Sequence, residues 1–358
     1  MSLEETIVHE IGKKGPIGFR KFMEMCLYYP GMGYYTSPTP RIGTPGDYYT
    51  SPCISDVFGQ MIARQIAEMW ITLGKRPFTI VEMGGGSGKL CSDILHALKE
   101  NKSLYKNLRY VFVEKNLVHA RTVLAEFHEK MSWHESLEEI DEFEGCFLSN
   151  ELVDNFSVHQ VLMENQLMEI MVDYKDSCFT EELQPASKIL ADYFKELTVQ
   201  LPFGLRTEIN LQAIHWLKTI SAKMHKGFVL TIDYGYTSGE LYQPYRKSGN
   251  MICYHEHRRN YCPYQNIGKQ DITAHINFSA LKLWGAKFNL LPLGFTSQAH
   301  FLSGLGIGNL RSLKLNSREA VDAIKALLWN IGTKIKVFIQ QKNMNAAHLS
   351  GLSLSNPL

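Results

Sequence analysis

TIVEMGGGSGKL, residues 79–90, is the stretch from which the fold of this chain can be worked out. Its apolar half leads to an acid, Glu82, and four glycines follow before Lys89. Glycines directly after a strand allow the backbone to approach a ligand closely. We therefore predict a strand over 78–83, followed by a turn that contacts a nucleoside triphosphate, a dinucleotide or an adenosyl cofactor.

The spacing of the glycines separates these three ligands. A phosphate-binding P-loop needs Gly-x-x-x-x-Gly-Lys followed by Ser or Thr. Counting back from Lys89 puts Met83 at the first glycine and Leu90 at the hydroxyl position, so a P-loop is excluded. A dinucleotide fingerprint would need a third glycine where Lys89 stands, and its acid would come about 20 residues later, well before Glu114. The dinucleotide pattern therefore fits poorly.

The pattern that does fit is acid-x-Gly-x-Gly-x-Gly, filled here by Glu82, Gly84, Gly86 and Gly88. It favours S-adenosylmethionine, whose adenosyl and methionyl parts bend over the turn without a pyrophosphate. We predict that Glu82 faces the methionyl amino group and that Glu114 accepts hydrogen bonds from both ribose hydroxyls. A glycine-rich turn that merely packs tightly is the alternative. The predicted cofactor contacts are completed by Gly85, Ser136, Asn150 and Thr50.

Acids follow the fourth predicted strand, in FLSNELVDNFSVHQ, where the ligand crevice of a parallel sheet lies. Asn150, Glu151 and Asp154 come just after an apolar run, and Asp233 follows the fifth strand. Carboxylates beside a transferable methyl group suit a cationic acceptor such as a guanidinium. We predict catalytic roles for Glu151, Asp154 and Asp233. A helix cap at Asn150 and a turn-stabilising role for Asp233 are the alternatives.

Composition narrows the class of protein. The 358 residues include 37 Lys and Arg against 36 Asp and Glu, so no overall charge favours nucleic acid. Seven scattered cysteines without a Cys-x-x-Cys pair indicate reduced thiols. The N-terminus carries acids that transit peptides avoid, and no apolar run predicts a membrane span. We expect a cytoplasmic enzyme, or one of the mitochondrial matrix if a transit peptide has been trimmed.

Strand and helix alternation after residue 76 predicts an α/β fold with a mostly parallel sheet. We predict an N-terminal helical and loop segment over 1–75, a core over 76–343 and a tail over 344–358. Two stretches interrupt the core: a less regular one over about 156–225 and a loop-like one over about 238–277. The second contains CYHEHRRNYC, whose spacing matches none of the usual zinc patterns, so no metal site is expected there. Its basic residues favour a solvated face or an acid-pairing loop over a nucleic-acid groove.

Several ordered motifs resemble the MidA family, also called DUF185, of S-adenosylmethionine-dependent methyltransferases. They are GPIGFRKFMEMCLYYPGMGYY, GDYYTSPCISDVFGQ, VEMGGGSGKL, NELVD, LTIDYGY and DITAHINFSAL, and the resemblance runs from about residue 10 to 340. It implies a class I methyltransferase fold with a seven-stranded Rossmann-like sheet, an N-terminal segment and an inserted lobe. It also implies protein-arginine methylation of a partner such as a respiratory complex I subunit. A small-molecule methyltransferase and a non-catalytic assembly chaperone are the alternatives.

The resemblance assigns cofactor binding to the glycine motif and suggests that residues 46–51 close over the cofactor. Three departures stand out. The family usually has Pro at the position of Gly85, so the turn should be more flexible here. It tends to Ala-Leu-Pro where this chain has residues 155–157, Asn-Phe-Ser, beside the predicted acceptor site. It favours Thr and Leu at Asn250 and Met251.

Overall fold

The computed structural model describes residues 1–38, 50–309, 318–345, 347–355 and 358. The described residues group into two units. The lobe comprises 1–38, 153–215 and 236–281, and the core unit comprises 50–152, 216–235 and the described residues from 282 onward. The predicted N-terminal segment 1–75 contributes to both units.

The strands of the described chain are, in order, β1 (Ile17–Gly18), β2 (Phe78–Met83), β3 (Leu108–Val113), β4 (Met131–His134), β5 (Phe143–Asn150), β6 (His159–Met163), β7 (Leu167–Lys175), β8 (Cys178–Pro185), β9 (Arg206–Ile209), β10 (Met224–Tyr236), β11 (Met251–His255), β12 (Arg258–Asn260), β13 (Asp271–Ala274), β14 (Ile276–Asn277), β15 (Leu291–Ser297) and β16 (Ile335–Lys342).

The helices are α1 (Leu3–Lys14), α2 (Phe19–Tyr28), α3 (Ser51–Ile54), α4 (Asp56–Thr72), α5 (Lys89–Leu98), α6 (Lys102–Asn107), α7 (Arg121–Glu126), α8 (Lys188–Glu196), α9 (Leu211–Lys223), α10 (Ser238–Leu241), α11 (Phe278–Lys287), α12 (Gln298–Gly304) and α13 (Arg318–Lys325). A π turn, Ala326–Asn330, follows α13, and 3-10 turns cover Leu117–His119, Leu137–Glu139, Val153–Asn155 and Ser350–Leu352.

The sheet of the core unit confirms the predicted mostly parallel α/β fold. Its strands lie in the order β4-β3-β2-β5-β10-β16-β15. The neighbours from β4 to β10 pair in parallel, and β16 runs antiparallel to both β10 and β15. The chain order reverses between β2 and β5, which makes their carboxyl ends the place where such a sheet binds its ligand.

One face of this sheet is covered by two amphipathic helices. Ser55 accepts a hydrogen bond from the Val57 N–H and so begins α4, as its sequence predicts. Apolar side chains of α4 and α5 bury themselves against β2, β3 and β5. Burial of such side chains stabilises each by about 1.5–3 kcal/mol, so this packing fixes the strand ends that carry the site. The fully buried members include Phe58, Ile62, Ile66, Ile94, Leu95, Phe112 and Leu148.

The lobe is an antiparallel structure that the sequence does not reveal. The interval 156–225 contains β6–β9 and α8, and the interval 238–277 contains β11–β13. The strands of the first interval form a sheet with β1, in the order β1-β7-β6-β9, and β8 also pairs with β7. The predictions of a less regular and a loop-like stretch were wrong here. Strands such as β8 and β12 leave most of their side chains exposed, so the alternation that marks a strand is weak.

Close approach of three central strands depends on a pair of glycines. Gly145 of β5 pairs with Thr79 of β2 and with Gly227 of β10. A Cβ atom on Gly145 would lie 2.0 Å from the Thr79 carbonyl oxygen, and one on Gly227 would lie 2.0 Å from the Gly145 carbonyl oxygen. Both clashes involve backbone atoms of the sheet, which cannot move aside without breaking the pairing.

We predict that Gly145→Ala lowers the free energy of unfolding by about 3 kcal/mol, because the added methyl group must push β2 and β5 apart. Urea denaturation followed by circular dichroism measures the change. The control is Gly12→Ala in α1, where no atom lies within 4 Å of the added Cβ. That variant should be neutral or stabilised by up to about 1 kcal/mol. Equal stability of the two variants would contradict the packing argument.

Candidate active site

The turn between β2 and α5 has a backbone that requires glycine. Gly84, Gly86 and Gly88 have φ angles of 76°, 55° and 75°. These values lie in the left-handed region that side chains other than glycine rarely adopt. Gly88 is also the N-cap of α5. The glycines expected for close approach to a ligand are therefore the ones that the backbone conformation requires.

Gly85 has a different reason to be glycine. A Cβ atom there would lie 2.2 Å from Cε2 and 2.7 Å from Cζ of Phe112, which is fully buried on β3. It would also lie 3.1 Å from Cδ of Glu82. Because Phe112 fills the space under the turn, the Pro that the family usually carries at this position would not fit in this chain.

Glu114, immediately after β3, is hydrogen-bonded to the glycine turn. Its Oε2 accepts a hydrogen bond from the Gly86 N–H at 3.1 Å, and its Oε1 accepts one from the Asn116 N–H at 3.0 Å. Burial raises the pKa of this carboxyl, and the backbone donors of Asn116 and Gly86 oppose that rise. The two oxygens thus lie beside the turn, and the predicted hydrogen bonds from two ribose hydroxyls stay a prediction.

Glu82 lies beneath the turn. Its side chain is buried, and its Oε2 accepts a hydrogen bond from the Tyr110 hydroxyl at 2.7 Å. Burial raises the pKa of Glu82 to about 7, opposed by the Tyr110 hydrogen bond and reinforced by the nearby Glu114. The carboxyl group therefore supports the turn from below, and the predicted contact with a methionyl amino group stays a prediction.

Lys89, the residue that suggested a P-loop, is held on its own helix. Its Nζ contacts Oδ1 and Oδ2 of Asp93 at 2.7 and 2.5 Å. An ion pair between residues one turn apart on α5 stabilises the helix. This pairing agrees with the exclusion of phosphate binding on sequence grounds.

The end of β5 presents the candidate catalytic group. Glu151 has a φ angle of 49°, which is strained for a residue with a long side chain. Its Oε1 accepts hydrogen bonds from the Ser51 N–H at 3.2 Å and from Asn150 Nδ2 at 3.3 Å, and its own N–H donates to the Ile232 carbonyl at 2.8 Å. The carboxylate is thus held in one direction at the carboxyl end of the sheet.

The other two predicted catalytic acids are Asp233 and Asp154, each described within its own unit. Asp233 is fully buried at the end of β10, where Oδ2 accepts from the Leu152 N–H at 3.2 Å and Oδ1 from the Tyr234 N–H at 2.7 Å. It therefore braces the segment after Glu151. Asp154 is buried in the 3-10 turn Val153–Asn155 of the lobe.

The remaining predicted cofactor residues are less informative. Thr50 precedes α3 as its N-cap, and its hydroxyl contacts Cys53 Sγ at 3.3 Å. Ser136 lies after β4 as the N-cap of the turn Leu137–Glu139. Residues 46–49 of the predicted closing segment lie outside the described residues.

Sequence reasoning missed Tyr110 and Gln298 in the core unit, and it missed the partners of Ser51, a residue of the predicted closing segment. Tyr110 binds Glu82, Ser51 binds Glu151, and Gln298 at the start of α12 accepts the Ser51 hydroxyl hydrogen bond at 2.9 Å. Their partners lie between 28 and 247 residues away in the chain. The one sequence signal for them is a polar residue at a position where the surrounding pattern predicts a buried apolar one.

These residues fit an adenosyl cofactor. The glycine turn leaves room for close approach, and Glu114 lies beside it with two acceptor oxygens. Asn150 Oδ1, at the end of the adjacent strand, is a buried acceptor that makes no hydrogen bond with any residue that the structure describes. A buried acceptor of this kind calls for a donor from a ligand. The fold and the site together define a class I methyltransferase that uses S-adenosylmethionine.

Comparison with known proteins agrees with this class. A family model described as "Putative S-adenosyl-L-methionine-dependent methyltransferase" matches residues 61–296, and the chain belongs to that family. A protein from Caenorhabditis elegans named protein arginine methyltransferase NDUFAF7 homolog, mitochondrial, is 25% identical, with 94% of this chain and 85% of that protein aligned. The human protein arginine methyltransferase NDUFAF7, mitochondrial, is 26% identical over 84% of this chain and 72% of its own length.

A solved structure shares the whole fold. The protein from Burkholderia thailandensis bound to S-adenosyl-homocysteine superposes with a TM-score of 0.89 at 28% identity, covering 99% of this chain and 95% of that one. S-adenosyl-homocysteine is what remains of the cofactor after methyl transfer. The cofactor prediction is thereby confirmed.

The described part of the chain contains no group of three or more His, Cys, Asp and Glu side chains that could hold a metal ion. Among its helices, none combines the length and apolarity that crossing a membrane demands.

The buried Glu82 predicts a dependence of stability on pH. Its pKa is about 7 in the folded chain against an ordinary 4.5, so the folded state binds more protons between these values. Stability therefore falls as the pH rises from about 4.5 to 7, by at most ~3 kcal/mol, and stays lower above. In Glu82→Gln, which keeps an acceptor for Tyr110, the fall should be smaller.

Urea unfolding of the wild type and of Glu82→Gln at pH 5, 6, 7 and 8 measures this difference. The exposed Glu129→Gln serves as the control because it removes the same charge from the surface of the core unit. Parallel pH curves for the wild type and Glu82→Gln would contradict the account.

The contact between Gly85 and Phe112 yields a second prediction. Gly85→Ala should weaken binding of S-adenosyl-homocysteine and lower stability by about 1–3 kcal/mol, because the new Cβ overlaps a ring that cannot move. Adding Phe112→Leu should restore much of the binding by making space. Calorimetric titration of the two variants and of Phe112→Leu alone measures the coupling, and strictly additive effects would refute the steric explanation.

Proposed function

We propose that the chain transfers the methyl group of S-adenosylmethionine to the side chain of arginine in a protein partner. The observation that carries this proposal is the Glu151 carboxylate, held by two N–H donors at the carboxyl end of β5. A fixed carboxylate at this edge of the sheet suits a cationic acceptor better than a neutral one.

A guanidinium group matches this carboxylate in charge and shape. It presents planar N–H donors in a fixed fork, and a carboxylate that binds one side draws its positive charge away from the attacking nitrogen. When bound, S-adenosylmethionine supplies a methyl group on a positively charged sulfur. The role of Glu151 is then to bind the guanidinium, orient one nitrogen and accept the hydrogen bonds of its remaining N–H groups.

Neighbouring residues orient Glu151 rather than contact the acceptor in this proposal. Asn150 and Ser51 fix the direction of the carboxylate, and Asp233 fixes the Leu152 N–H next to it. The predicted catalytic role of Asp154 stays a prediction, tested by Asp154→Asn.

The names of the relatives support a protein acceptor. The C. elegans and human relatives are named as mitochondrial protein arginine methyltransferases. Together with the motif resemblance, this leads us to propose a respiratory complex I subunit as the partner. The compartment is then the mitochondrial matrix, or the cytoplasm of a cell whose complex I faces it.

We predict that Glu151→Gln reduces methyl transfer by ~100-fold or more and leaves the affinity for S-adenosyl-homocysteine unchanged. The amide keeps an acceptor for the Ser51 N–H but loses the charge that binds a guanidinium. The measurement is transfer of a radiolabelled methyl group into an extract from cells that lack this protein, followed by acid hydrolysis and separation of methylated amino acids.

The control is Glu144→Gln, which removes an exposed carboxylate at the other end of β5. Label recovered as methylarginine from the wild type and from Glu144→Gln, but not from Glu151→Gln, supports the proposal. Label recovered only in small molecules, or equal transfer by Glu151→Gln, would overturn it.

A further inference from the structure

A chain of buried hydrogen bonds leads from Glu151 to an unassigned glutamine. The Ser51 N–H donates to Glu151 Oε1 at 3.2 Å, and the Ser51 hydroxyl donates to Gln298 Oε1 at 2.9 Å. Ser51 and Gln298 are both fully buried. Ser51 therefore connects the candidate catalytic carboxylate with the first residue of α12.

The orientation of Gln298 is fixed from its other side. Its Nε2 donates to the Leu327 carbonyl at 3.3 Å. Leu327 belongs to the π turn Ala326–Asn330, where the wider helical turn changes the direction of the backbone carbonyls. The amide oxygen of Gln298 consequently points to Ser51, because its nitrogen already has an acceptor.

Glu151 needs such support because its backbone is strained. A residue with a long side chain holds a φ angle of 49° only where its surroundings compensate for the strain. The N–H of Glu151 is fixed on β10, through the Ile232 carbonyl. The Glu151 side chain is held by the N–H of Ser51. Ser51 belongs to α3, a helix of four residues that has little stability of its own.

We propose that Gln298 is a positioning residue for methyl transfer: it fixes Ser51, and Ser51 in turn orients the Glu151 carboxylate. The inference rests on the proposed function of Glu151. It requires no contact between Gln298 and cofactor or acceptor. Loss of the amide would free α3 to shift, and a carboxylate displaced by about 1 Å costs on the order of 100-fold in rate.

The test compares Gln298→Met, which keeps the volume and removes both hydrogen bonds, with Gln340→Met. Gln340 is also fully buried, and its Nε2 donates to the Leu290 carbonyl at 3.1 Å. It lies on β16 opposite Val229, toward the other end of β10 from Asp233. Both substitutions therefore remove a hydrogen bond from a buried glutamine amide to a backbone carbonyl. Gln298→Met does so next to the Glu151 site, and Gln340→Met does so away from it.

Two readouts are measured on the full chain. The first is amide hydrogen exchange of the peptide that covers residues 50–54, which reports the Ser51 N–H without any acceptor. The second is the rate of label transfer at saturating S-adenosylmethionine, beside the affinity for S-adenosyl-homocysteine. We expect Gln298→Met to speed the exchange by about tenfold or more and to slow transfer by ~10–100-fold, with unchanged affinity. Gln340→Met should change neither readout.

Ser51→Ala provides a second variant if Gln298→Met does not fold. It deletes the single hydroxyl that Gln298 binds, so it should speed exchange in the same peptide, and Ser51→Thr should restore wild-type exchange. In a double-mutant cycle the effects of Ser51→Ala and Gln298→Met should be less than additive.

The outcomes separate this inference from the proposed function. Exchange in residues 50–54 that matches the wild type in both Gln298→Met and Ser51→Ala overturns the inference. It is also overturned if Gln340→Met speeds that exchange and slows transfer as much as Gln298→Met does. A wild type that methylates no arginine overturns the proposed function, and with it the role in transfer assigned to Gln298. The exchange data then still decide whether Gln298 fixes Ser51.

Discussion

The structure depends on two backbone segments with left-handed residues, held at adjacent strand ends. The turn after β2 needs left-handed glycines, and Glu151 after β5 adopts a left-handed conformation that is costly for its side chain. The close pairing of β2, β5 and β10, made possible by Gly145 and Gly227, holds these ends in register. The strand order reverses between β2 and β5, so the two segments face the same crevice.

The glycine turn rests on buried side chains of β3 that are not part of the glycine motif itself. Phe112 fills the space below Gly85, and the Tyr110 hydroxyl binds Glu82 inside the core unit. The large ring at position 112 is therefore possible only because position 85 has no Cβ atom. This coupling gives a physical reason for glycine where the family usually has proline.

The sequence predicted the parts of the molecule that are governed by local pattern. The glycine spacing identified β2 and its turn. The sequence did not predict the antiparallel strands of the lobe, because their largely exposed side chains lack a clear alternation. It also did not predict the links from Glu151 to Ser51 and Gln298, since hydrogen bonds between residues far apart in the chain leave no local signal.

The most direct test is a crystal structure of the chain with S-adenosyl-homocysteine bound. The account predicts that the ligand lies over Gly84–Gly88, with both ribose hydroxyls within hydrogen-bond distance of the Glu114 carboxylate. It also predicts that the sulfur faces the Asn150 and Glu151 side chains. A ligand bound elsewhere, or one whose sulfur points away from Glu151, would contradict the assignment of this crevice as the site of methyl transfer.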